Sequence, residues 1–218
     1  MKSRSSRKKI VLATSNPGKL REIRRYFKGL PLEFLSLQDI GGSGDVEEKG
    51  TTFLENARQK SLAYSLLNEY ATLAEDSGLE VDHLDGAPGV FSARFSDPGA
   101  SDEKNIRKVL RLMKGVPWPG RRARFVCQLV LSKGGRVLKA CRGQVRGSIS
   151  QEEKGDFGFG YDPIFFYRPF GRTFGELQPE IKNAVSHRGR AVLKLRAFLE
   201  AEKKAPPGGL PGRAAAKR

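Results

Sequence analysis

The sequence predicts a single domain of the α/β class, and three observations carry that prediction. Ile10-Val11-Leu12-Ala13 is a short apolar run broken by Thr14-Ser15-Asn16-Pro17-Gly18-Lys19; Leu20, Ile23 and Phe27 then recur at helical spacing, giving a strand, a polar loop and a helix. Thr52-Phe53-Leu54-Glu55 is a capping box that starts a second helix near Phe53. From Arg122 to Leu131 apolar and polar residues alternate, with Ala123, Phe125, Cys127, Leu129 and Leu131 on one face. Val137 to Val145 follows across Gly134-Gly135, so the two runs form an antiparallel hairpin. A chain of 218 residues, 38% hydrophobic and 29% charged, suits one such domain. No apolar run approaches the roughly 20 residues that span a bilayer.

The remaining elements follow in order. Leu32 to Leu37 reads as a second strand, and Gly41-Gly42-Ser43-Gly44 as a flexible loop leading to Asp45, Glu47 and Glu48. On the helix after Thr52, Phe53, Ala57, Tyr64 and Leu67 share a stripe, with Asn56 and Lys60 beside it on one face. A Lys in that position ordinarily snorkels to water; the sharper alternative takes Lys60 to a buried phosphate. Ser101 and Asp102 are candidate caps for a helix carrying Ile106, Val109, Leu110 and Met113. Glu176 to Lys204 is helical in pattern, interrupted at Ser186-His187-Arg188-Gly189, with Val192, Leu195, Phe198 and Leu199 as the buried face of the last helix. Residues 205–218 hold Pro, Gly, Ala and basic residues and read as a disordered tail; residues 1–9 read as a basic extension, leaving 10–204 as the domain.

Charge and cysteine content narrow the function classes. The net charge is +16, but ten positive charges lie in residues 1–9 and 203–218, where there is no acid, which leaves six for the body. Solvated basic tails explain this first and a nucleic-acid surface second. Two cysteines cannot make a disulfide framework. With a two-residue loop at Gly134-Gly135, Cys127 faces position 142 and Cys141 faces 128. The sulfurs then point to opposite faces, as two reduced thiols of a cytoplasmic protein.

Chemistry concentrates between Thr72 and Arg94. An apolar run ends in Glu75 and Asp76, Ser77-Gly78 supplies turn residues, and a second apolar run follows. Acids at the mouth of a buried strand are costly unless a cation meets them, whereas a plain hairpin would expose them at its turn. The N-terminus of the helix that follows this loop offers free N–H groups, and Lys19 a point charge, to an anion, although the loop lacks the Walker A glycine pattern. In Gly155-Asp156-Phe157-Gly158-Phe159-Gly160-Tyr161-Asp162, glycines alternate with aromatics. The run suits either a flat ligand or a core turn.

Taken together, Ala13–Lys19, Thr52–Ala57, Glu75–Leu79, Gly86–Arg94, Phe157–Phe165 and Ser186–Gly189 resemble the inosine triphosphate pyrophosphatase family, in particular its bacterial dITP/XTP branch. The six motifs stand in the family's order over roughly residues 10–200. Glu75 departs from the pattern, since many relatives carry Asp there. The resemblance implies a mixed, twisted sheet with two lobes flanking a nucleotide cleft, a Mg²⁺ cofactor and a homodimer. The implied reaction is cleavage of a purine nucleoside triphosphate to the monophosphate and pyrophosphate. It implies that Thr14, Ser15, Asn16, Pro17, Gly18 and Lys19 line the phosphates and sugar. Glu48 and Asp76 would hold the metal, with Asp76 also the proton acceptor, and Lys60 and Ser77 would touch the ligand. Phe159, Gly160, Tyr161, Asp162, Lys182, His187 and Arg188 would hold the nucleoside. Arg188 only donates hydrogen bonds and His187 can donate, so a donor pocket there favours a 6-oxo purine over adenine. Two rivals come from other classes: a basic nucleic-acid-binding module, which leaves Glu48, Glu75 and Asp76 unexplained, and a nucleotide sensor without turnover.

Overall fold

The computed structural model describes residues 7–41 and 46–204, without the side chains of 203 and 204; the tails and most of the Gly41–Asp45 loop expectation therefore lie outside it. Twelve elements follow one another: β1 (Lys8–Ala13), α1 (Pro17–Tyr26), β2 (Leu32–Leu35), α2 (Phe53–Ser65), β3 (Ala71–Val81), α3 (Asp102–Leu112), β4 (Arg122–Lys133), β5 (Arg136–Ile149), β6 (Phe165–Tyr167), β7 (Arg172–Thr173), α4 (Pro179–Val185) and α5 (His187–Lys204). They form one seven-stranded sheet in the order β2-β1-β3-β4-β5-β6-β7. β1 is parallel to β2 and to β3, and every other pairing is antiparallel. Among the described residues no helix is long and apolar enough to cross a membrane.

Local signals set the helix starts. Asn16 caps α1 by accepting from the Lys19 N–H, and Pro17 supplies a first residue that needs no donor. Thr52 and Glu55 close a reciprocal capping box on α2, and Ser101 caps α3. Strand bounds are less local. β1 begins at Lys8, so Lys8 and Lys9 belong to the sheet, and β2 stops at Leu35. Leu67 lies beyond the end of α2 and is exposed, so it leaves the expected stripe.

Two cores share the long strands. One gathers Ile10, Leu12, Ile23, Leu73, Leu129 and Leu131 beneath α1 and α5. The other gathers Leu79, Val81, Ile106, Val109, Phe125, Ile149 and Phe165 around α3 and the far strands. β3 runs through both, with Glu75-Asp76-Ser77 at the waist between them. The Ser77-Gly78 turn is therefore corrected: β3 pairs with β4 without a break from Thr72↔Ser132 to Val81↔Ala123.

The hairpin register is corrected as well. Gly134 and Gly135 both take positive φ and make the two-residue turn, but the pairing shifts between Leu131 and Ser132. Cys127 consequently pairs with Gly143, and Cys141 with Leu129. One extra residue on β5 flips the side-chain parity, so both thiols face the same core, and both are free.

Candidate functional site

Strand order makes the cleft. β1 lies between β2 and β3, and the helices of its two crossovers pack on opposite faces. Ile23 of α1 and Phe27 just past its end pack over Ile10 and Leu12, while Tyr64 of α2 packs over Ala13 and Ala74. Ligands bind at the carboxyl ends of strands where the order reverses in this way. β1 pairs with β3 only as far as Ala74, then leaves through Thr14–Asn16 to the N-terminus of α1. From Glu75 to Gly78 no described strand lies along this edge of β3; further on Leu79 and Val81 donate to Ser92 Oγ and to the Ala87 carbonyl.

Glu75 and Asp76 are neighbours on β3 and so face opposite sides of the sheet. Glu75 is fully buried against α5: Arg188 Nε donates to both its carboxylate oxygens at 3.0 and 2.9 Å, and Arg188 Nη2 donates to Oε1 at 2.7 Å. Ser77 Oγ donates to the same carboxylate, and Lys19 Nζ stands 3.7 Å away. Burial alone would raise the Glu75 pKa, but Arg188 and Lys19 outweigh it and hold the group well below the usual carboxylate range.

The network continues through Glu22, which pairs with Arg188 and with Lys182 at 3.0 Å; Lys182 also pairs with Asp162. Lys182, Asp162 and Arg188 are all buried. Burial raises the Asp162 pKa even with Lys182 beside it. Lys182 is pushed up, since Asp162 and Glu22 outweigh its own desolvation.

A cavity of about 100 Å³ lies over this network, lined among others by Asn16, Lys19, Ser77, Phe159, His187 and Arg188. The Phe159 ring covers it, stacked over the Lys182 ammonium at 5.0 Å and the Arg188 guanidinium at 5.4 Å. Phe159 and Lys182 also line an open groove of about 1290 Å³ beside α1. The loop is held from within: Asp162 accepts from the Phe159 N–H and Asp102 from the Gly160 N–H. Gly158 has φ +83°, and a Cβ there would lie 2.0 Å from Asp162 Oδ2. Tyr161 belongs to the core, with its hydroxyl donating to the Ser92 carbonyl. His187 is buried, stacks on Phe125 at 4.7 Å, and its Nδ1 has no hydrogen-bond partner. Burial, with Arg188 and Lys182 nearby, pushes its pKa well below the ordinary value, so the imidazole is neutral at pH 7.

The other face carries a second cluster. Asn56 of α2, itself fully buried, donates to Asp76 Oδ2 at 3.1 Å, and the Ser77 N–H donates to Oδ1. Lys60 neither snorkels out nor lies free for a ligand: its Nζ donates to Glu48 Oε1 and to the Glu75 carbonyl, both at 2.8 Å. Asp76 makes no ion pair among the described residues. Burial raises its pKa and outweighs Lys19 and Lys60.

The expected residues thus fall into two groups that meet at the open edge of β3. Asn16, Lys19, Ser77, Phe159, Gly160, Tyr161, Asp162, Lys182, His187 and Arg188 surround the cavity. Glu48, Lys60 and Asp76 lie toward α2. Thr14, Ser15, Pro17 and Gly18 form the β1–α1 turn, where Thr14 Oγ1 accepts from the Asn16 N–H. A Cβ on Gly18 would touch the Phe159 ring at 2.9 Å. The sequence reading missed Glu22 and Asp102. Glu22 had a signal, as the lone acid among Arg21, Arg24, Arg25 and Lys28 and three residues from Lys19. Asp102 was seen only as a cap.

Fold and site together define a mixed α/β protein with a cation-rich ligand cleft at the switch point of its sheet. The chain belongs to the Ham1 family, whose model matches residues 10–198. It is 47% identical over 191 residues to a dITP/XTP pyrophosphatase of Geobacter sulfurreducens, covering 88% of this chain and 96% of the relative. It is 44% identical over 193 residues to one of Oceanobacillus iheyensis, covering 88% and 98%. The solved structure of a HAM1 protein from Coxiella burnetii superposes with a TM-score of 0.82 at 38% identity, covering 89% of this chain and 99% of that one.

Proposed function

We propose that the protein hydrolyses the α–β phosphoanhydride of non-standard purine nucleoside triphosphates (dITP, ITP and XTP), releasing the monophosphate and pyrophosphate and so cleansing the nucleotide pool. The observation that carries this reading is the waist of β3. There a buried, pKa-raised Asp76 on one face and a pair of buried cations, Arg188 and Lys182, on the other flank the same open strand edge. Relatives matched over nearly their whole length carry the name dITP/XTP pyrophosphatase.

Mg²⁺ belongs to the proposal, and the residues fit it. Asp76 is a buried carboxylate without a direct cationic partner, and Glu48 is close enough to raise its pKa further. Among the described residues no group of three or more His, Cys, Asp or Glu converges, which suits an ion bound by one or two carboxylates plus phosphate oxygens and water. Glu48 and Asp76 would hold it, and it would neutralise and polarise the phosphates.

The chain's own residues supply the rest. The α1 N-terminus and Lys19 draw the triphosphate. Asp76, oriented by Asn56, accepts a proton from the attacking water, and its raised pKa makes it a stronger base than a solvated carboxylate. Phe159, whose ring lines the cavity, offers the flat face for the base. His187 presents the polar atom that has no protein partner. Arg188 plays a smaller part in direct base contact than its type suggests. Its nitrogens are committed to Glu75, Glu22 and Ser77, so it orients the pocket. Assembly as a cytoplasmic homodimer completes the reading.

A panel of dITP, ITP, XTP, GTP and ATP with Mg²⁺, scored for pyrophosphate, tests it. The 6-oxo non-standard nucleotides are expected to lead ATP by about ten- to a hundredfold, the cost of an unmet buried polar group. Equal turnover of ATP and ITP contradicts the base assignment.

A further inference from the structure

Lys60 is the unusual member of the Asp76 cluster. It leaves the stripe of α2, and its side chain is only 12% exposed. Its ammonium is shared between two acceptors. It donates to the Glu48 carboxylate and to the backbone carbonyl of Glu75, each at 2.8 Å. That carbonyl is the first on β3 beyond the end of the β1 pairing at Ala74. Asp76 lies beside them, and the charges of Lys60 and Glu48 both act on it. Two carboxylates and a carbonyl are the donors a hard divalent cation prefers. Without a cation between them, the Glu48 carboxylate and the Glu75 carbonyl would lose this partner at a partly dry strand edge, which is costly.

We propose that Lys60 is an internal counter-cation that occupies the divalent-ion position while the enzyme is empty and is exchanged for the ion when nucleotide arrives. The proposal rests on the metal reading given above and goes beyond it in assigning a gate. The ammonium satisfies Glu48 and the Glu75 carbonyl in the free protein, so an ion alone must displace a positive charge already in place. A triphosphate removes that penalty because it offers the released ammonium a new anionic partner. Ion and nucleotide therefore bind with positive coupling, and the empty enzyme holds metal weakly. The coupling is reciprocal, since it is a property of binding free energies.

The test uses Mn²⁺ as the probe, with free Mn²⁺ followed by electron paramagnetic resonance at neutral pH. Wild type, Lys60→Met and Lys60→Gln are titrated without nucleotide and with an α,β-imido analogue of ITP. Thermal melts are recorded for each protein, so that the Gln variant can replace the Met variant if the latter does not fold. In the absence of nucleotide, the folded variants are expected to bind Mn²⁺ about tenfold more tightly than wild type, within the usual range of site coupling. The strengthening of Mn²⁺ binding by the analogue should be large in wild type and shrink in the variants. Equal Mn²⁺ affinity of wild type and variants without nucleotide overturns the counter-cation role, even where all of them bind Mn²⁺ with the analogue. Absence of Mn²⁺ binding in every protein, analogue present, overturns the metal reading and the gate with it.

Discussion

Glu75 and Asp76 sit one bond apart on β3 and meet opposite environments, and that difference sets what each can do. Glu75 is clamped by Arg188, and its depressed pKa means that its stabilising effect is fully present above the unfolded value near 4.5 and is lost as the pH falls below it. Glu75→Gln would leave Arg188 with Glu22 as its one carboxylate partner. Urea unfolding at pH 7 should then show a loss of about 3 kcal/mol, the usual cost of breaking a buried pair. A loss below about 1 kcal/mol would mean that the clamp contributes little. Asp76 is shifted the other way by burial, so in the metal-free protein it ionises above the ordinary Asp value. Asp76→Asn keeps the size and the Asn56 neighbour but loses the base. Its kcat should fall about 10²–10⁴-fold with little change in melting temperature, and near-normal turnover would remove Asp76 from the reaction.

At the scale of elements, the site depends on how closely α5 approaches β5. A Cβ on Gly143 would lie 2.0 Å from the His187 carbonyl and 2.5 Å from the Ala191 N–H nitrogen, both backbone atoms that cannot rotate away. Gly143→Ala should therefore cost about 1–3 kcal/mol, as overpacking does, and lower kcat/KM by shifting the first turn of α5, where His187 and Arg188 begin. Unchanged kinetics would show that the turn yields without moving them. The same contrast between local and non-local information explains which elements the sequence made legible. Helix starts at Phe53 and Asp102 follow from the caps read at Thr52 and Ser101, whereas α1 begins at Pro17, inside the stretch read as loop, because Asn16 caps it. The course of β3 through Ser77-Gly78 does not, because its pairing with β4 lies some fifty residues away in sequence and overrides the turn propensity of Ser-Gly. Nor does the register of the hairpin, which one bulged residue near Leu138 reverses. Of the residues now found around the cleft, Lys19, Asp76 and Arg188 lie in the motifs that carried the family resemblance and Lys182 came only with the resemblance itself, whereas Glu22 needed the fold to bring α1 against α5.

Across the whole molecule, most of the net positive charge stands outside the cleft's own arithmetic. Ten of the positive charges lie in residues 1–9 and 203–218, while the cations at the cleft are matched to Glu22, Glu48, Glu75 and Asp162. Truncation to residues 7–204 keeps Lys8, which reaches Glu202, and should leave melting temperature and turnover unchanged while weakening salt-dependent adsorption to single-stranded DNA. An earlier melt or lost turnover would show that a terminal segment docks on the body. The central claim is cleavage of the α–β phosphoanhydride of the intact triphosphate in one step, and ³¹P NMR of the ITP reaction with Mg²⁺ tests it most directly. The account predicts IMP and pyrophosphate appearing together in equal amounts from the first turnover. Orthophosphate with IDP as the accompanying product would contradict it.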